Sequence, residues 1–171
     1  MNAEIDGHPG KYTVVDPYPA DCIRKGSLNL QQVMETRVEV LDPSFFDQLN
    51  ENDILFIDSG HCVRIGGDVN YLFLEIFPRL APGVIVHIHD ISLPYEYPKT
   101  YATSETFRQF WTEQYLLQSF LCFNNEFEIM LAMNFLMKDY SDVFTQAFPL
   151  YNPDIHPFTS GSFWIQRKLL V

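Results

Sequence analysis

The sequence predicts an α/β protein built on a mostly parallel sheet whose last strand runs antiparallel. Three observations carry that prediction. Ile54-Leu55-Phe56-Ile57 and Val84-Ile85-Val86 are unbroken apolar runs rich in β-branched residues, the pattern of parallel strands covered on both faces. Each run turns polar at its C-terminal end, in Asp58-Ser59-Gly60-His61 and in His87-Ile88-His89-Asp90. Between them, Val69, Leu72, Phe73, Ile76 and Leu80 repeat at helical spacing and form one apolar stripe that packs a helix on the sheet. The unit is β-α-β, and in open α/β sheets ligands bind outside the carboxyl ends of the strands.

The elements follow in chain order. Lys11 to Val15 is a short strand that must end at Asp16, because Pro17 and Pro19 forbid both pairing and helix. Leu28 to Glu35 has helical character, and Arg37 to Leu41 reads as a further strand closed by Asp42-Pro43. Ser44 to Leu49 is a helical turn or two before the turn at Asn50-Glu51-Asn52-Asp53. After the Ile54 strand and its helix, which Pro78 ends or kinks, Ala81-Pro82-Gly83 turns the chain into the Val84 strand.

Ile91 to Tyr101, with Pro94, Pro98 and three tyrosines, reads as an ordered loop over the strand ends, either a substrate wall or a proline-stiffened connector. Thr103 to Phe123 has helical spacing, with Phe107, Phe110, Trp111, Gln114, Leu117 and Leu121 as its core side. Glu128 to Met133 is a strand, Asn134 to Ala147 a helix, and Phe148 to Thr159 a proline-containing loop. Gly161 to Lys168 alternates like a last strand near an edge and pairs antiparallel with the strand before it.

With 171 residues, 47% of them hydrophobic, the chain is expected to form one domain over residues 1–171. The 22 acidic against 11 basic side chains give a formal charge of -11, which opposes nucleic acid and anionic membrane surfaces as partners. The scattered cysteines Cys22, Cys62 and Cys122 form no metal or redox pair, as expected of reduced thiols in a cytoplasmic protein. The polar start of the chain is no signal peptide, and no apolar run has the length of a membrane span.

Two strand tips bring Asp58, His61, His89 and Asp90 toward one crevice. Carboxylates of this kind suit a hard divalent ion such as Mg²⁺, which would hold and acidify a substrate oxygen while a neutral His61 takes its proton. The alternative is that the acids cap local turns and the histidines fill polar gaps. His87 and His89 share a strand face and, with Asp90, suggest a metal-dependent hydrolase, but His8 and His156 have no ligand spacing to complete such a set. Asp16, at another strand tip, stands where a nucleoside ribose gives its hydroxyls to a carboxylate, or else closes an Asx turn before Pro17; Asp42 has the same ambiguity.

Taken together, Thr13-Val14-Val15-Asp16-Pro17-Tyr18-Pro19, Ile54 to His61 with Asp68, Leu80 to Asp90 and Ser162-Phe163-Trp164-Ile165 resemble class I S-adenosylmethionine-dependent methyltransferases. The resemblance is to the branch of metal-dependent sugar O-methyltransferases and cephalosporin-hydroxylase-like proteins. It implies a Rossmann-like methyltransferase sheet that acts on a small-molecule oxygen nucleophile, with S-adenosylmethionine and Mg²⁺ as cofactors. By the same resemblance, Asp16 would hold the donor ribose, Asp42 would lie near the adenine, Asp58, His89 and Asp90 would face the metal, and His61 would be the general base. His89 stands where such members often have a second acid. The family's first strand and Gly-rich loop have no counterpart before Lys11, so the chain reads as an N-terminally truncated methyltransferase. A non-catalytic domain that forms a homodimer through the sheet edge so exposed is the alternative.

Overall fold

The computed structural model describes residues 10–25, 30–106, 108–152, 154–155 and 160–169. His8, Phe107 and His156 lie outside them. The chain divides into two compact units, Met1–Asp42 and Pro43–Val171.

In the first unit, β1 (Thr13–Val15) and β2 (Gln32–Met34) form a parallel pair in which Val14 faces Val33 across the ladder. A short helix, α1 (Asp21–Arg24), connects them, and Arg24 pairs with Glu35 at 3.2 Å just beyond β2. Both expectations for residues 28–41 are corrected here. The described part of the expected helix holds strand β2 and no helix, and the expected strand at Arg37 to Leu41 curls instead into a 3₁₀ turn at Val38–Val40. Val33 and Met34 are the apolar residues that come into register with Val14 and Val15, and an Arg37–Glu39 ion pair at 2.8 Å favours the turn. Asp42 therefore follows a turn and is not at a strand tip.

The second unit carries a four-stranded sheet in the order β3-β4-β6-β5, with β3 at Ile54–Ile57, β4 at Ile85–Ile88, β5 at Phe127–Ala132 and β6 at Phe163–Arg167. β3 and β4 are parallel, as the β-α-β unit requires, while β6 lies antiparallel between β4 and β5. This is the mixed α/β, parallel-rich sheet that the sequence predicts. Two details differ. β6 is interior, with Phe163 and Ile165 buried against neighbours on both sides. β3 is an edge strand, so Ile54 and Phe56 remain exposed where full cover was expected.

The crossover from β3 to β4 starts as α2 (Asp68–Tyr71) and continues through one π-helical stretch, Leu72–Ile76, into a 3₁₀ turn at Phe77–Arg79 that holds Pro78. The whole predicted stripe of Val69, Leu72, Phe73, Ile76 and Leu80 is buried, joined by Phe77. Phe77 then packs tilted against Phe73 and Phe127, and Phe120 meets Phe77 and Phe127 edge to face, fastening the crossover to β5 and the helix before it. Gly83 turns the chain into β4 with φ 84°, a left-handed conformation that favours glycine.

After β4 come α3 (Thr100–Thr103), α4 (Glu113–Leu121), and a helical pair, α5 (Met133–Asp139) and α6 (Ser141–Ala147). The helix expected over Thr103 to Phe123 thus starts ten residues late, and Phe110, expected in the core, is 68% exposed. The expected Asn134 to Ala147 helix breaks at Tyr140, whose backbone is not helical. No described helix is long and apolar enough to cross a membrane.

Candidate active site

β3 and β4 end side by side, with Ile57 paired to Ile88, so the residues that follow them are neighbours. Asp58 leaves β3, Asp90 closes the turn after β4, and His61 sits between them. The Nε2 atom of His61 is 3.5 Å from Asp58 Oδ1 and 3.7 Å from Asp90 Oδ2. Among the described residues, Asp58, His61 and Asp90 are the group able to hold a metal ion, their donor atoms all within 4.8 Å of one another. His61 and Asp90 both adopt a positive φ, of 54° and 59°. Non-glycine residues seldom do so, and where they do the surrounding structure holds them there. Gly161 permits the second case, because a Cβ on it would lie 2.7 Å from the Asp90 Cα.

His61 is 7% exposed and Asp58 is open to solvent, so the cluster has a buried nitrogen side and a wet oxygen side. The imidazole is fixed from behind. Its Nδ1 lies 2.8 Å from Glu113 Oε2, while Ser59 Oγ donates to Glu113 Oε1 at 2.9 Å and accepts the His61 N–H at 3.1 Å. The His61 carbonyl accepts the N–H groups of Thr112 and Glu113, which ties the loop to the start of α4. Trp111 packs on the ring at 4.2 Å between centroids. Burial disfavours the charged imidazole, but the hydrogen bond to Glu113 and the charges of Glu113, Asp90 and Asp58 outweigh it, so His61 holds its proton above the ordinary 6.5.

The other sequence candidates fall in different places. His89 lies beside the cluster, its Nε2 3.6 Å from Asp90 Oδ1, and its buried Nδ1 has no hydrogen-bond partner. His87 is buried on β4, stacked on Trp164 at 4.3 Å with its Nε2 3.0 Å from Ser162 Oγ. Burial and the neighbouring His89 lower its pKa against the pull of Asp58. His87, His89 and Asp90 thus do not converge as three ligands among the described residues. In the first unit, Asp16 follows β1 and its Oδ1 accepts the Tyr18 N–H at 2.7 Å, the Asx turn before Pro17.

The Ile91 to Tyr101 loop is pinned to α4 and α5 by polar contacts. Ser92 N–H donates to Gln114 Oε1 at 3.1 Å, Asn134 Nδ2 donates to the Ser92 carbonyl at 2.9 Å, and Tyr115 OH donates to Glu96 Oε1 at 2.6 Å. Burial and the Asp90 charge raise the pKa of Tyr101, which meets Trp111 edge-on at 5.0 Å between centroids, and Trp111 in turn packs on His61. Glu113 escaped the sequence reading. An acid in the first turn of a helix is ordinary, since it complements the helix dipole, and only its complete burial sets this one apart.

The parallel-rich α/β sheet, with its polar strand tips, defines a Rossmann-like methyltransferase fold. A family model described as a methyltransferase domain matches residues 2–91, just over half the chain, and the chain belongs to this family of class I S-adenosylmethionine-dependent methyltransferases. Neither the curated proteins nor the solved structures give a significant match. The matched segment spans Asp16, Asp42, Asp58, His61, His89 and Asp90, and ends before Glu113.

Proposed function

We propose that the protein moves a methyl group from S-adenosylmethionine to an oxygen nucleophile of a small molecule, in the cytoplasm, with Mg²⁺ bound at the β3 and β4 tips. The observation that carries this reading is the convergence of Asp58, His61 and Asp90 at adjacent strand tips of a methyltransferase domain. Two carboxylates and an imidazole fit a divalent ion, and a hard ion needs few protein carboxylates because it keeps several waters. Asp58 and Asp90 would hold it, with His89 beside them. Asp16 fits the donor ribose, since its Oδ1 is occupied by one backbone N–H and its second oxygen can accept a sugar hydroxyl. Asp42 is assigned to the adenine end by family resemblance.

When bound, the donor supplies an electrophilic methyl group and the ion makes the acceptor hydroxyl more acidic. The chain supplies orientation and proton removal. His61 presents Nε2 to the space between the two carboxylates and takes the acceptor proton there. Trp111, packed on the His61 ring and edge-on to Tyr101, helps to fix the direction in which Nε2 points.

The assay is release of S-adenosylhomocysteine with a panel of catechols and sugars, with and without Mg²⁺. Turnover that needs the ion and falls by roughly 10²-fold or more in His61→Ala is expected, the usual worth of a general base. Turnover indifferent to Mg²⁺ and to His61 contradicts the mechanism. A second reading, a domain that pairs with another copy along β3, is favoured by one observation: Ile54 and Phe56 are 54% and 57% exposed on an edge strand.

A further inference from the structure

We infer that Glu113 is a positioning residue, which holds His61 with the proton on Nδ1 and leaves Nε2 open toward Asp58 and Asp90. Glu113 has 0% exposure, and a carboxylate removed from water needs partners that compensate for the lost hydration. Both of its oxygens are engaged, one by His61 Nδ1 at 2.8 Å and the other by Ser59 Oγ at 2.9 Å. An ionised carboxylate only accepts hydrogen bonds, so the ring nitrogen that faces it must donate. The neutral imidazole then carries its lone pair on Nε2, at the cluster.

The backbone fixes the same arrangement. Thr112 and Glu113 donate their N–H groups to the His61 carbonyl at 2.8 and 3.1 Å, and Val63 N–H donates to Thr112 Oγ1 at 2.7 Å. The loop that carries His61 is therefore stitched to the residues that carry Glu113, and Trp111 limits rotation of the ring. Carboxylate, imidazole and strand-tip acids follow one another in contact, with the ordering side buried and the working side open. This role rests on the reading of His61 as the proton acceptor, yet Glu113 lies outside the segment that matches the family.

Imidazole nitrogen resonances of ¹⁵N-labelled, metal-free protein test the role without any turnover. The neutral His61 of the wild type is expected as the Nδ1–H form. In Glu113→Gln, whose amide can donate as well as accept, the ratio moves toward the Nε2–H form, and kcat falls by about 10–100-fold with the donor KM unchanged, as is usual for a lost orienting carboxylate. An Nε2–H form in the wild type overturns the role, and so does a folded Glu113→Gln with the wild-type ratio. If Glu113→Gln does not fold, the wild-type form decides alone. Failure of methyl transfer with the Nδ1–H form intact refutes the proposed reaction and leaves the positioning role standing, so the two failures are distinguishable.

Discussion

Two histidines a few residues from the strand tips are pushed in opposite directions by what surrounds them. For His61 the carboxylates win over burial and the imidazolium is favoured, whereas for His87 burial and His89 win over Asp58 and the neutral ring is favoured. The linkage signs differ accordingly. The folded pKa of His61 is raised, so its contribution to stability is full below 6.5 and is lost as pH rises through the folded value. That of His87 is lowered, so its contribution is full above 6.5 and is lost as pH falls through the folded value. In metal-free protein, an NMR titration of the ring protons is expected to place His61 above 6.5 and His87 below it. The reverse order would contradict both environments. At this scale Asp58, His61 and Asp90 were legible, because a strand that turns polar at its end announces the residues there. Glu113 was not, since its partner lies 52 positions earlier and only tertiary folding joins them.

Elements place these residues. The β3–α2–β4 unit was legible nearly whole, down to the five stripe residues, because burial writes its period directly into the sequence. The elements that misled are short. Val33-Met34 and Val38 to Val40 are equally small apolar groups, and only pairing with β1 chooses the first as a strand. Helical spacing continues back from α4, but residues 108–112 are not helical, and there Gln109 N–H donates to the Tyr101 carbonyl and Thr112 N–H to the His61 carbonyl instead of to a helix ladder. The most sensitive contact between elements is the approach of Gly161, just before β6, to the turn after β4. Gly161→Ala sets a methyl group against the Asp90 backbone and should cost about 1–3 kcal/mol, as overpacking does. A urea midpoint measures the loss, and an unchanged midpoint would mean that the turn yields freely.

On the scale of the molecule, the sheet order β3-β4-β6-β5 leaves β3 at an edge with apolar side chains exposed. If two copies pair there, light scattering should find a dimer, and Phe56→Lys should return it to a monomer, since charge on an edge strand blocks pairing. A monomer at all concentrations would remove that reading. The class of protein was legible as a family resemblance carried by Thr13 to Pro19, Ile54 to His61 and Leu80 to Asp90, and the family match over residues 2–91 bears it out. The acceptor was not, because the Ile91 to Tyr101 loop carries no decodable motif and packs on α4 through contacts such as Gln114 with Ser92 that no local pattern encodes.

We propose that these residues serve methyl transfer from S-adenosylmethionine. Calorimetric titration with S-adenosylmethionine and S-adenosylhomocysteine, with and without Mg²⁺, tests it most directly. Saturable heat for both ligands, weakened in Asp16→Ala, is the predicted result. No heat at millimolar ligand, from a protein that is folded by circular dichroism, would contradict it.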